Sequence, residues 1–492
     1  MHFAEPNQKP LLSGGKPWWA ELNRYHWFVM LVAALGWMFD CLDQQLFILA
    51  RQPAMSELLP AGWNVDSWAS YTTSFFLIGW ASGGLIFGML GDRIGRARTM
   101  MLTILLYSIF TGLSALSQSV FDFMLYRFLT GLGVGGEFAV GVALVAEVMP
   151  ERARPYALAS LQALSAIGNV AAAFIGMAMG SLREAGLVSS TWRPMFVIGA
   201  IPALLALVIR RRLKEPERWQ KASHEDAVSR QLGSYRALFQ HPVWRKHALL
   251  GLAMAFSGVV GLWAVGFFTM DLVGNITEAK FVEQSVNRLV NEGKFDANTG
   301  AAIIREVKQE GLKRSAGAKQ IPEETQGEIG GKVAYWKGNT SMMINLGAFI
   351  GMYSFGFITQ RIGRKPTFAI AFVAAALSTA SVLIFLNDFS QVYWMVPLMG
   401  VCQLSLFAGY AIYFPELFPT YLRSTGTSFC YNVGRFVAAI GPFMLGVLIN
   451  FVFEGTRVER LRYAGLAMCS VFLIGLIALP FAPETKDKPL PE

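Results

Sequence analysis

Charge is what this sequence has least of. Of its 492 residues only 15% are Asp, Glu, Lys or Arg, against about a quarter in an ordinary soluble chain. Hydrophobic residues make up 54% and mean hydropathy is +0.42. This excludes a soluble fold of such length and places the chain among membrane proteins. Cysteine is also scarce. Cys41, Cys402, Cys430 and Cys469 all stand in apolar runs, so they read as small packing residues, with no disulfide frame or Cys/His metal spacing. The five histidines, His2, His26, His224, His241 and His247, are terminal or in polar connections, which excludes a histidine proton relay at mid-membrane. No Gly-x-x-x-x-Gly-Lys-Ser/Thr loop is present, so direct ATP drive is not expected. The first fifteen residues are polar and lack the short apolar core and cleavage site of a signal peptide.

What is there is a succession of long apolar runs. At ~20 residues per crossing, spans are expected at 26–50, 68–91, 97–117, 121–149, 156–180, 192–211, 247–271, 337–360, 366–387, 391–414, 424–451 and 461–482. The formal charge of +9 does not point to nucleic acid, because the positives cluster in the short connections, as positive-inside topology requires. The basic stretches 92–98, Arg152/Arg154, 210–218 with Arg245-Lys246, and 361–365 fall on one side if both termini are cytoplasmic. The turns at Ser117–Phe121 and Asn387–Gln391, poor in positive charge, then lie outside, and Trp18, Trp19 and Trp27 read as interfacial anchors. The expected layout is a cytoplasmic 1–25, a six-helix bundle over 26–212, a cytoplasmic linker over 213–246, a second bundle over 247–482 and a tail at 483–492. Within the second bundle, 272–336 is a polar extracytoplasmic insertion. Phe281, Val282, Val286, Leu289 and Val290 recur there at helical spacing. It is either a surface cap or insertion with no direct role in transport, or a lid or partner-binding element.

Two segments repeat. Gly88, Gly95 and Arg96 shifted by 268 land on Gly356, Gly363 and Arg364. Glu147, Pro150 and Arg154 shifted by 269 land on Glu416, Pro419 and Arg423. Almost one offset in two separate segments argues for a duplicated six-helix unit, and parallel six-helix halves describe the major facilitator architecture. The segment Gly88–Arg98 resembles the signature loop of the major facilitator superfamily: Gly88, Asp92-Arg93, Gly95-Arg96, then Arg98. The second copy departs from it, with Gln360 in place of the Asp. Arg127–Phe138, Pro150–Arg154, Glu215–Trp219 and Pro415–Arg423 are similar to the sugar-porter and metabolite:proton symporter branch. Asp40-Cys41-Leu42-Asp43 resembles the Asp-x-x-Asp of aromatic acid:proton symporters and their sialate and lactate relatives, with Cys41 where Gly or Ala is usual. The resemblance implies an all-α membrane fold of twelve helices in two bundles, in a bacterial inner membrane. It also implies that the loop residues Gly88, Asp92, Arg93, Gly95, Arg96 and Arg98, with Arg154, Glu147, Glu416 and Arg423, serve gating. Asp92 would cap a neighbouring helix or pair with Arg154.

Asp40 and Asp43 stand three apart on the first helix and share a face, while Glu137 follows Gly135-Gly136 near the middle of the fourth. An ionised carboxylate there costs ~2.5–3.5 kcal/mol. All three are therefore candidates for proton coupling, the alternative being a cap or a permanent ion pair. Arg127 would pair with the first-helix carboxylates or reach out to the interface. Arg435 is the clearest cation at membrane depth in the second half, and its planar fork suits a carboxylate. Tyr431, Asn432, Gln162, Asn169, Asn345, Gln403 and Tyr410 are polar groups that would line the same cavity or serve packing. The expected activity is proton-coupled symport of a small carboxylate by a monomer in the bilayer. No cofactor beyond the coupling proton, no nucleic-acid partner and no enzymatic step are expected. A sugar or polyol transporter is the alternative, and a non-transporting sensor a third reading.

Overall fold

Gly95 and Gly363 punctuate this chain. Their φ angles of +107° and +98° lie in the region that an L side chain resists, and each makes a one-residue break between two long helices. A computed structural model describes residues 17–60, 63, 65–184, 187–225, 231–266, 268–312, 315–438 and 448–491. Its helices, numbered here in chain order, begin with α1 (Arg24–Leu58), α2 (Val65–Ile94), α3 (Arg96–Ser114), α4 (Val120–Val148), α5 (Arg154–Glu184), α6 (Trp192–Gly199) and α7 (Ala203–Arg212). The short α8 (Glu217–His224) and α9 (Tyr235–Gln240) lie in the central linker. The second half contains α10 (Pro242–Val260), α11 (Phe268–Asn291), α12 (Ala297–Glu310), α13 (Glu323–Ile362), α14 (Arg364–Phe385), α15 (Phe389–Leu417), α16 (Arg423–Ala438), α17 (Arg457–Met468) and α18 (Val471–Ala478). No strand occurs among the described residues, and nine helices there are long and apolar enough to cross a membrane.

The duplication is built into the packing. Ser119 opens α4 with a reciprocal cap: its hydroxyl accepts from the Asp122 N–H at 3.2 Å, and Asp122 accepts from the Ser119 N–H at 3.1 Å. Asp388, 269 residues on, opens α15 in the same way with Gln391. Gly83 of α2 lies so close to α4 that a Cβ would strike the Leu132 carbonyl. Its counterpart Gly351 of α13 presses likewise on Val401 of α15. Small residues let helix backbones approach where no water-driven force holds them together.

Several span ends differ from expectation. The seventh span does not stop at 271: past a π-helical turn at Gly261–Gly266, α11 runs on to Asn291. The eighth begins at Glu323 and not at 337. Segment 272–336 is therefore largely the prolongation of two membrane helices. Val282, Val286, Leu289, Ile303, Val307 and Ile321 close a small apolar core there, which keeps the polar ends of these helices folded. The sixth span is broken into α6 and α7. Of the eleventh, 439–447 lie outside the described residues, as do 1–16 of the N-terminal segment and 226–230 of the linker. Trp18 is not an interfacial anchor: it is buried and stacks on Tyr156 at 5.5 Å.

Candidate functional site

The two acidic residues of α1, expected to act together, have different partners. Asp43 accepts from the Thr111 hydroxyl at 2.7 Å and pairs with Arg127 of α4 at 3.4 Å. Arg127 is fully buried. It donates to Ser114 at 2.8 Å and Thr130 at 3.0 Å, with the Phe196 ring 4.5 Å away. The interfacial placement of Arg127 is thus overturned, and Asp43 belongs to an ion pair within the first half.

Asp40, also buried, has no hydrogen-bond partner on either oxygen among the described residues. Glu137 accepts from the Thr103 hydroxyl at 3.2 Å through one oxygen, while the other has no partner and presses on Gly36, one turn before Asp40. Asp40 and Glu137 are thus neighbours, and neither has a cation in contact. An uncompensated charge is costly at this depth.

Arg435 projects from α16 to the same level. Its Nη1 donates to Asn432 Oδ1 at 2.9 Å, and its guanidinium carbon lies 4.1 Å from the Trp80 ring and 4.3 Å from the Tyr431 ring. Among the described residues, Nε is buried without a hydrogen-bond partner and no carboxylate makes an ion pair with Arg435. Phe138 stacks on Tyr431 at 4.1 Å and touches Trp37 at 4.7 Å, so an aromatic path runs from the Arg435 turn to α1. Asn169 donates to Asn345 at 2.8 Å across the two halves. Gln162 and Gln403 are buried with their side-chain carbonyls unbonded, although the Gln403 amide donates to the Gly261 carbonyl at 2.9 Å. Tyr410 turns away to donate to the Met254 carbonyl at 2.6 Å. Trp80 had no sequence signal: it is one aromatic residue among many in an apolar run.

The signature loop gathers at one end, here called the loop end. Asp92 does not pair with Arg154. It accepts from the Ser424 and Thr425 N–H groups at 3.1 and 2.8 Å and from the Thr425 hydroxyl at 2.6 Å, capping the start of α16 in the other half. Arg96 pairs with Asp92 at 3.0 Å and Glu147 at 2.9 Å, and donates to the Thr420 carbonyl at 2.6 Å. Glu147 also pairs with Arg423 at 2.6 Å. In the second half Arg364 grips Glu416 through two bonds of 3.1 and 2.9 Å. Arg93 donates to the Leu232 carbonyl at 3.3 Å, Gly88 packs on Ser428, and Arg154 is buried with Nε unbonded.

Two further carboxylates went unsingled although their spacing of 269 marked them. Glu215 accepts from the Ala97 and Arg98 N–H groups at the start of α3, and Glu484 from those of Arg364 and Lys365 at the start of α14. Burial pushes the Glu484 carboxyl up, but the backbone N–H groups around it outweigh that and hold it below the usual range.

Comparison with known proteins bears on the family and the fold. The chain is 27% identical to the cis,cis-muconate transport protein of Acinetobacter baylyi, over 77% of each chain. It is 24% identical to the sialic acid transporter NanX of Escherichia coli, over 88% of this chain and 89% of that one. Among solved structures, the proton:xylose symporter XylE superposes with a TM-score of 0.62 at 17% identity, covering 95% of this chain and 98% of that one, a likeness of fold. The family model described as Major Facilitator Superfamily matches residues 27–278 and 336–492. It leaves out residues 279–335, from within α11 to the first turns of α13. Both halves around that stretch are those of a membrane transporter rather than an enzyme, and the chain belongs to the Major Facilitator Superfamily.

Proposed function

We propose that this transporter carries a small organic anion with a carboxylate group, together with a proton, by alternating access. The observation that carries the reading is Arg435: a buried guanidinium that, among the described residues, has no partner on Nε and no carboxylate in an ion pair with it. A guanidinium kept so calls for an anionic ligand. Asp40 and Glu137 take the proton, while Asp43 holds Arg127 in place. Asn169, Asn345, Gln162, Gln403, Asn432 and Tyr431 flank the path of the ligand. Relatives named as muconate and sialic acid transporters support an acidic substrate. The loop end is assigned to the cytoplasm by its basic connections, and the Asp92–Arg96–Glu147–Arg423 network gates it. The α11–α13 cap then lies outside.

The test is uptake of labelled nicotinate, cis,cis-muconate and sialic acid into proteoliposomes. An inward proton gradient should accelerate uptake of at least one, and an uncoupler should abolish that acceleration. Arg435→Ala should cut uptake about 10- to 100-fold, the value of a charged hydrogen bond. Carboxylate uptake that survives Arg435→Ala, or ignores the uncoupler, would sink the corresponding half of the reading. A sugar is the second reading, favoured by the unbonded carbonyls of Gln162 and Gln403, since amides of this kind bind hydroxyls. Uptake of xylose but of none of the three acids would establish it.

A further inference from the structure

The guanidinium of Arg435 is held by both halves of the molecule. Tyr431 and Asn432 stand on its own helix, α16, but Trp80 belongs to α2 of the first half. The contact is built in: a Cβ on Gly135 would strike the Trp80 carbonyl, and a Cβ on Gly84, one turn along from Trp80, would strike the Asn432 side chain. The backbone that carries the indole is thus packed tightly against α4, and one turn along α2 lies against Asn432 of α16. With the Trp80 and Tyr431 rings 4.1 and 4.3 Å from its central carbon and Asn432 on Nη1, the fork is held from both halves, while Nε has no hydrogen-bond partner among the described residues. A fork held in this way has less freedom to lose when it binds a carboxylate.

We propose that Trp80 is a positioning residue for the anion-binding arginine, and that it acts only while α2 and α16 are packed together. From the loop end up to this level the halves are in contact, through Gly91 on Ser424, Gly88 on Ser428 and Gly84 on Asn432. A ligand reaching Arg435 in this conformation enters from the opposite end. When the halves part at the loop end, Trp80 leaves with α2 and one face of the guanidinium is exposed to water. The grip on the anion slackens on the side where the anion is released. A ligand shifts a conformational equilibrium only through such a difference in affinity.

The inference rests on reading Arg435 as the carboxylate group, and the experiment separates the two. Wild type, Trp80→Leu, Trp80→Phe and Arg435→Ala are reconstituted in one orientation. Uptake of nicotinate, cis,cis-muconate and sialic acid is measured from each side, after size-exclusion and thermal-melt checks of folding. Trp80→Leu should raise KM about 2- to 30-fold from the end opposite the loop, the range of a cation–π contact, and leave KM from the loop end unchanged. Trp80→Phe, which keeps a ring, should fall between. An equal rise on both sides, no rise on either, or Trp80→Phe as damaging as Trp80→Leu would overturn the inference. Uptake that needs Arg435 but ignores Trp80 sinks this inference alone; uptake that does not need Arg435 sinks the reading beneath it as well.

Discussion

At the first copy of the signature loop, Asp92 lies over the opening turn of α16 and takes two backbone N–H groups and a hydroxyl from the other half of the molecule. At the second copy the same position is Gln360, and the helix of the other half that α13 packs against is α5, which begins Arg154-Pro155. Pro155 stands where the first interface has Ser424, and a proline has no N–H to donate. Both partners of the contact have changed together. The acidic residues one step further in diverge too: Glu147 crosses to Arg423 of the other half, whereas Glu416 stays with Arg364 and Thr485 of its own. A duplicated unit with an offset of 268 or 269 throughout has thus kept its internal braces in both halves, but its loop-end ion pairs and caps cross between halves at only one of two equivalent seams among the described residues, the other being crossed further along by Asn169 on Asn345. In the gating proposed above, the α2–α16 seam is the one that must be unfastened, and the α5–α13 seam can slide.

The comparison breaks most sharply at Asp92. Asp92→Asn keeps the shape but removes the charge that caps α16 and neutralises Arg96. Charged hydrogen bonds are worth about 1.5–3 kcal/mol, so the balance between conformations should move about 10- to 100-fold, and the initial rate of uptake should fall on that scale. Gln360→Asn, the matching change at the other seam, should leave the rate near wild type. Equal losses in the two variants would mean the seams are not different in kind.

Glu147 and Glu416 sharpen the point with a smaller effect. Glu147→Gln weakens a bond between halves and should slow uptake about tenfold with a modest change in melting temperature. Glu416→Gln weakens a brace inside one half and leaves Arg364 buried without its partner, so the loss should appear chiefly as a lower melting temperature. The measurement is the pair of readouts on both proteins. If rate and melting temperature fall in the same proportion in each, the division between cross-half and internal braces is wrong.

Much of this was written in the chain as spacing. The offset of 268 or 269 ties Gly95 to Gly363, Arg96 to Arg364 and Glu147 to Glu416, and the structure gives each pair the same local role: a break with positive φ, and an arginine–carboxylate pair behind it. Spacing did less well with Asp40 and Asp43. Three residues apart on a helix implies one face, yet Arg127 of α4 claims Asp43 and leaves Asp40 alone, and nothing local to α1 encodes where α4 lies. Trp80 on Arg435 was out of reach for the same reason, since the contact depends on how α2 meets α16. The length of α11 and α13 beyond the expected membrane boundary was hidden by their polar composition. Hydropathy marks where lipid ends, not where helix ends.

The smallest effect is also the most specific. If the α5–α13 seam lacks a loop-end brace because both partners of that contact are missing, supplying one should do little. Gln360→Asp alone offers a carboxylate to a helix start whose corresponding position has no N–H. Pro155→Ser alone restores the N–H but offers it to an amide, and costs at most about 1 kcal/mol through lost backbone restriction. The double variant has both, together with a negative charge at a helix N-terminus worth about 0.3–1 kcal/mol. It should hold the loop end closed more firmly than wild type, slowing uptake about 2- to 10-fold while raising the melting temperature, in excess of the sum of the single changes. A double variant that merely adds the two singles would show that the proline and the glutamine are unrelated. The asymmetry of the seams would then have to come from Glu147 and Arg423 alone.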